Sequence, residues 1–153
     1  MVKILIVYHS QSGNTRKMAE AVAHGAGEIE GVTALLKRAF EVTDEDLIDC
    51  DGLVLGSPEY FGYMSGAVKD LFDRTYEQVR GNKKIFRKPY AVFISAGNDG
   101  QGALTHIERI CLAYQFKKSQ EPLIAKGPVT VDILAQCEDL GRTIAAGCEA
   151  GIY

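Results

Sequence analysis

Lys3-Ile4-Leu5-Ile6-Val7-Tyr8-His9-Ser10-Gln11-Ser12-Gly13-Asn14-Thr15 sets an unbroken apolar run against a polar loop built around one glycine. The run is short, rich in β-branched residues and lacks polar alternation, so it reads as a strand buried on both faces. From Met18 onward apolar residues recur at helical spacing: Met18, Ala21, Val22, Gly25, Ala26 and Ile29. A strand, a glycine loop and a helix in that order begin a βαβ unit.

The same alternation continues along the chain. Further strand runs are Val32 to Ala39, Gly52 to Gly56, Tyr90 to Ser95 and a weaker one from Pro122 to Ala125. Helical periods lie between them: Val68, Leu71, Phe72 and Val79, then Leu104, Ile107, Cys111 and Tyr114, then Ile133, Cys137, Leu140, Ile144 and Cys148. The acidic piece from Thr43 to Ile48 reads as a capped single turn. The expected fold is a three-layer α/β domain with a five-stranded parallel sheet. Right-handed crossovers favour the strand order 2-1-3-4-5, with a switch point between the first and third strands. In such sheets ligands bind beyond the carboxyl ends of the strands at that point, so the loops after the first, third and fourth strands should carry the chemistry.

With 153 residues and 46% hydrophobic side chains, residues 1–153 are expected to form one domain. A net charge of −3 gives no basic excess, which argues against nucleic acid or a membrane surface as partner. The opening apolar run is too short for a signal or a membrane span, and a cytoplasmic location is expected. Cys50, Cys111, Cys137 and Cys148 form no C-x-x-C pair, and His9, His24 and His106 lie far apart, so neither a zinc site nor a disulfide framework is expected.

In the first loop, hydroxyl and amide side chains surround Gly13 where backbone N–H groups and the positive end of a helix converge, which suits a phosphate. A capped helix start would use the same residues. Other phosphate loops fail on spacing. There is no G-x-x-x-x-G-K-[ST], and Gly25, Gly27 and Gly31 miss the dinucleotide pattern and fall inside the first helical stretch. A C-x₅-R loop aligned on Arg16 would place Ser10 where its thiolate nucleophile belongs. A receiver domain would need an aspartate at the end of the third strand, where Gly56-Ser57 stands.

Ser10-Gln11-Ser12-Gly13-Asn14-Thr15 resembles the [ST]-x-[ST]-G-[NT]-[TS] phosphate loop of the flavodoxin superfamily. Gly56-Ser57-Pro58-Glu59-Tyr60-Phe61-Gly62-Tyr63-Met64-Ser65-Gly66, followed by Lys69-Asp70-Leu71-Phe72-Asp73-Arg74, resembles its WrbA-like and NAD(P)H-dependent FMN reductase branch. The resemblance implies a flavodoxin-like fold with bound FMN: its phosphate at Ser10, Gln11, Ser12, Gly13, Asn14 and Thr15, its ring beside Ser57, Pro58, Glu59, Tyr60, Phe61 and Gly62. It also implies that Ser95, Ala96, Gly97, Asn98 and Gly102, after the fourth strand, meet the pyrimidine edge of the flavin. The residues themselves agree, since Pro58, Tyr60, Phe61 and Tyr63 offer a flat apolar wall and Gly62 permits close backbone approach. Glu59 stands where the family often has a neutral residue, and its carboxylate faces either solvent or the flavin.

FMN would carry the redox chemistry, so no acid, base or nucleophile is assigned. The favoured reading is an oxidoreductase passing reducing equivalents from NADH or NADPH to a quinone, free flavin or other small-molecule acceptor. A one-electron carrier docking on larger redox proteins is the alternative, though dedicated carriers are typically more acidic. A flavin-free binding or regulatory domain is the third. The tetrameric WrbA-like proteins carry an extra late segment for which this chain is too short, so a homodimer is expected rather than that tetramer.

Overall fold

The computed structural model describes all residues from Met1 to Tyr153. The elements are β1 (Val2–Tyr8), α1 (Asn14–Gly27), β2 (Val32–Arg38), a 3₁₀ turn (Ala39–Glu41), α2 (Asp44–Asp49), β3 (Gly52–Tyr60), β4 (Tyr63–Met64), α3 (Gly66–Val79), β5 (Pro89–Ala96), α4 (Gln101–Ala113), β6 (Lys117–Lys118), β7 (Leu123–Lys126) and α5 (Val131–Ala150).

β1 is central because every residue from Ile4 to Tyr8 is buried, as its continuous apolar run requires. Leu5 and Val7 pack with α3 and α4 residues on one face, and Ile4, Ile6 and Tyr8 with α1 and α5 residues on the other. The result is a flavodoxin-like α/β sandwich around a parallel sheet.

The expected five strands are corrected to seven, in the order β2-β1-β3-β5-β6, with β4 paired to β3 and β7 paired to β5. Two local causes account for the difference. The last sheet position is split: Lys117 and Lys118 pair with the start of β5 and Leu123 to Lys126 with its end, with Pro122 in the break between them. β3 also runs past Gly56 to Tyr60, then folds back antiparallel through β4 with Glu59 opposite Met64 and Tyr60 opposite Tyr63. The first helix ends at Gly27, so Gly31 lies beyond it, in a turn at φ +82°.

Helix starts follow their sequence signals where a hydroxyl is present. Thr43 caps α2 in a capping box with Asp46, Ser65 caps α3 and Thr130 caps α5. α1 and α4 begin differently, on Gly13 and Gly100 in the left-handed region, with no hydrogen bond from the capping residue's side chain. Both of these helices start at the carboxyl edge of the sheet.

No helix is long and apolar enough to cross a membrane.

Candidate functional site at the carboxyl edge

Parallel register places the ends of the strands side by side: Tyr8 pairs with Arg38 and with Gly56, and Pro58 with Ser95. Three loops therefore emerge together. Side chains then join them. The His9 ring meets the edge of Tyr60 at 6.2 Å between centroids, linking the first loop to the end of β3. Glu59 Oε2 accepts a hydrogen bond of 3.2 Å from the backbone N–H of Ala103, linking β3 to the first turn of α4.

The first loop leaves its donors open. The N–H of Gly13 donates to Ser10 Oγ at 3.1 Å, which tightens the loop, while the first turn of α1 contains no acidic residue. A Cβ on Gly13 would meet nothing within 4 Å, so the helix end faces free space. An uncapped, unneutralised helix N-terminus favours an anion by both its orphan N–H groups and its dipole. No cation is free within the loop: Arg16, just beyond it, is held by Glu20 at 2.8 Å. His9 is pushed below its usual pKa by partial burial, which favours its neutral form. Ser10, Gly13 and Asn14 are half-buried, Gln11 and Ser12 exposed, and Thr15 buried.

The second loop is a tight hairpin. Phe61 at φ +53° and Gly62 at φ +72° form its two-residue turn, the backbone pattern of a type I′ turn. Glycine adopts this conformation freely, whereas phenylalanine pays about 1–2 kcal/mol for it. Phe61 is also completely solvent-exposed, at 106% of its reference area. A strained backbone and an uncovered ring at one position make poor sense for folding alone and good sense for a ring-binding surface. Beside it, Tyr60 is half-buried and desolvation raises its phenol pKa.

The third loop is exposed at Gly97, Asn98 and Asp99, and Asp99 Oδ1 accepts from the N–H of Gln101 at 3.0 Å. Gly102 is a contact point: a Cβ there would stand 1.9 Å from the Gly62 carbonyl oxygen. Its absence lets the hairpin and α4 touch, backbone to backbone. Open space surrounds the missing Cβ atoms of Gly62 and Gly97 as well, so an unobstructed surface runs between the second and third loops.

The structure thus brings Ser10, Gln11, Ser12, Gly13, Asn14, Tyr60, Phe61, Gly62, Gly97 and Asn98 to one open edge. The other sequence candidates are placed differently. Ser57 is fully buried and its Oγ accepts from the N–H of Ser65 at 3.0 Å, so its side chain anchors the hairpin. Pro58, Ser95 and Ala96 are buried beneath the edge. Glu59 is half-buried, and one oxygen of its carboxylate is directed to the first turn of α4. Phe40, on the 3₁₀ turn after β2, was not legible: it is 64% exposed and its ring lies 6.3 Å from that of His9. Its only sequence signal was an aromatic in an otherwise acidic connection.

A hollow of about 350 Å³ at the opposite, amino edge, lined by residues including Asp49, Lys84, Phe86 and Arg87, offers no comparable convergence. Its one buried cation, Lys88, is held below its usual pKa by desolvation and donates to the carbonyls of Leu47 and Ile48 at the end of α2.

Residues 36–118 match the family described as NADPH-dependent FMN reductase. A protein called flavodoxin from Aquifex aeolicus (strain VF5) is 41% identical over 102 residues, covering 67% of this chain and 54% of the relative. The chain therefore spans about half the length of that relative. Among solved structures, a flavodoxin from the domain Archaea superposes with a TM-score of 0.83 at 25% identity, covering 97% of this chain and 99% of its own. A WrbA-like flavodoxin from Agrobacterium tumefaciens gives 0.83 at 21% identity over 98% and 99% of the two chains. Rubredoxin oxygen:oxidoreductase from Desulfovibrio gigas gives 0.84 at 21% identity, covering 98% of this chain and 37% of that one. The two at 21% support the fold alone.

Proposed function

The chain belongs to the family of NADPH-dependent FMN reductases, and on that premise we propose that it is an FMN-binding redox protein that passes reducing equivalents from NADH or NADPH to a quinone, flavin or other acceptor. The observation that carries this reading is the pairing of an open α1 N-terminus with the exposed, strained Phe61 hairpin across one sheet edge. When bound, FMN supplies the electron-accepting and electron-donating chemistry.

The chain's own residues supply position and electrostatics. Ser10, Ser12, Asn14 and the N–H groups that open α1 would hold the phosphate by dipoles, with no metal or lysine needed for its charge. Thr15 lies at the base of that cradle. Tyr60 and Phe61 would flank the ring, while Gly97 and Asn98 would offer polar groups to its edge. Ser57, Glu59 and Gly102 act one layer back, fixing the hairpin against α3 and α4. The Glu59 carboxylate is tied to α4 rather than free in the opening, which leaves room for an acceptor beside the ring.

The alternative, a one-electron carrier for larger redox proteins, draws support from the flavodoxin-named relative and from the archaeal flavodoxin. Anaerobic titration of the FMN-loaded protein with NADH and NADPH distinguishes the two. Rapid bleaching of the visible flavin band by either nucleotide is the expected result. Resistance to both, with full bleaching by dithionite, would replace the reductase reading with the carrier.

A further inference from the structure

Away from the carboxyl edge, the far end of α1 gathers three metal-ligating side chains that the redox function does not use. His24 and Glu28 stand one helical turn apart, with His24 Nδ1 3.2 Å from Glu28 Oε1. Glu138, from α5, brings Oε1 to 3.7 Å from the same nitrogen. The ligand atoms of all three lie within 4.8 Å of one another.

The helices that present them are locked together. A Cβ on Gly25 would stand 2.0 Å from the Glu138 carbonyl oxygen, and one on Gly141 would stand 2.0 Å from that of Val22. Such close backbone contact leaves little freedom for the ligands to drift apart. The carboxylates are oriented as well. Arg142 Nε donates to Glu28 Oε2 at 2.9 Å, and its Nη2 donates to Glu138 Oε2 at 3.1 Å. Each glutamate therefore gives one oxygen to Arg142 and turns the other toward His24. Partners of this kind, bound to the outer oxygen of a ligating carboxylate, fix the geometry of metal sites.

Ion pairing alone leaves the cluster unbalanced. Glu28, Glu138 and Asp139, which Arg142 Nη1 also contacts at 2.6 Å, bring three negative charges to one guanidinium. His24 Nδ1 carries at most one proton, and at 3.7 Å Glu138 is beyond its hydrogen-bonding reach. A dication would satisfy all three inner ligand atoms together. Metal–ligand bonds of about 2.0–2.2 Å imply separations of roughly 3.0–3.6 Å between neighbouring ligand atoms. The two separations from His24, 3.2 and 3.7 Å, lie within a few tenths of an ångström of that range, and the two carboxylate oxygens lie within 4.8 Å of each other.

We propose that His24, Glu28 and Glu138 form a site for one first-row transition-metal dication of the Zn²⁺ type, which staples α1 to α5. Imidazole with carboxylates selects Zn²⁺, Co²⁺, Ni²⁺ or Cu²⁺ over Mg²⁺ and Ca²⁺, and water completes the coordination. The expectation from sequence was that no such site exists. The i,i+4 pair alone is commonplace, and its third ligand comes from the last helix, which only the fold places beside it.

The test is a titration of tag-free, chelator-treated protein with Zn²⁺ by calorimetry and with Co²⁺ by visible absorption. One equivalent should bind, excess Mg²⁺ should not compete, and Zn²⁺ should raise the melting temperature. His24→Gln and Glu138→Gln should each weaken binding at least tenfold and abolish the thermal shift, while Glu20→Gln should leave both unchanged. His24→Gln spares the Arg142 contacts, so a loss there cannot come from breaking the ion pairs. Absence of stoichiometric binding, or wild-type affinity in both ligand variants, overturns the proposal.

Discussion

Gly102→Ala pits two effects of opposite sign against each other. Gly102 is the second residue of α4, and replacing a helical glycine by alanine normally stabilises by up to about 1 kcal/mol. Here the added Cβ would lie 1.9 Å from the Gly62 carbonyl oxygen, whereas ordinary contact begins near 3.4 Å, so the backbones must separate by about 1.5 Å. Overpacking of this kind costs about 1–3 kcal/mol. The piece that yields is the hairpin, because β4 is two residues long and pairs only with β3. His106 resists the movement from the helix side, with its ring 4.7 Å from Tyr63 and its Nδ1 2.6 Å from the Gly102 carbonyl. Net destabilisation of about 1–2 kcal/mol is expected, or a fall in Tm of roughly 3–8 °C for a chain of this size. Displacing Phe61 and Gly62 should also weaken FMN binding by about tenfold, equivalent to 1.4 kcal/mol. Thermal denaturation and fluorescence titration with FMN read both quantities. A variant that is more stable than wild type and binds FMN equally well would refute the contact and the placement of the hairpin in the site.

Phe61→Asn replaces a strained aromatic with a residue suited to φ > 0, so it should stabilise the protein by about 1 kcal/mol in denaturant titrations while lowering flavin affinity. Glu59→Ala removes a charged acceptor from the N-terminus of α4 and should cost about 1–2 kcal/mol, whereas Glu59→Gln, which keeps an oxygen for the Ala103 N–H, should cost less than half as much in the same assay. His9 binds its proton less readily when folded than the free side chain does, so the unfolded state carries more protons between its lowered pKa and about 6.5. Stability should therefore rise as pH increases through that window, and His9→Gln should flatten this part of a pH series of melting curves.

The sequence announced the strands that are buried on both faces, because apolar runs such as Ile4 to Val7 have only one stable setting. It was less informative where backbone geometry overrides residue type. The third strand reads as ending at Gly56, yet β3 continues through Pro58 in parallel register with Ser95 and turns on Phe61, a residue with no preference for the conformation it adopts. Lys117 and Lys118 have no apolar signature, so the split in the last sheet position was invisible. In the candidate site the first loop was legible because glycine, hydroxyls and a helix start act locally. The roles of Gly102 and Glu59 in joining the hairpin to α4 were not legible, since their backbone and capping partners come from other elements and exist only once the chain has folded.

One FMN is proposed to lie across the carboxyl edge between the start of α1 and the Phe61 hairpin. Amide hydrogen exchange, measured with and without saturating FMN, tests it without relying on turnover or on any substitution. Protection should increase at residues 10–16, 59–63 and 97–103 and stay unchanged around the amino-edge residues 48–51 and 84–89. Protection confined to the amino edge, or no change anywhere at saturating FMN, would contradict the account.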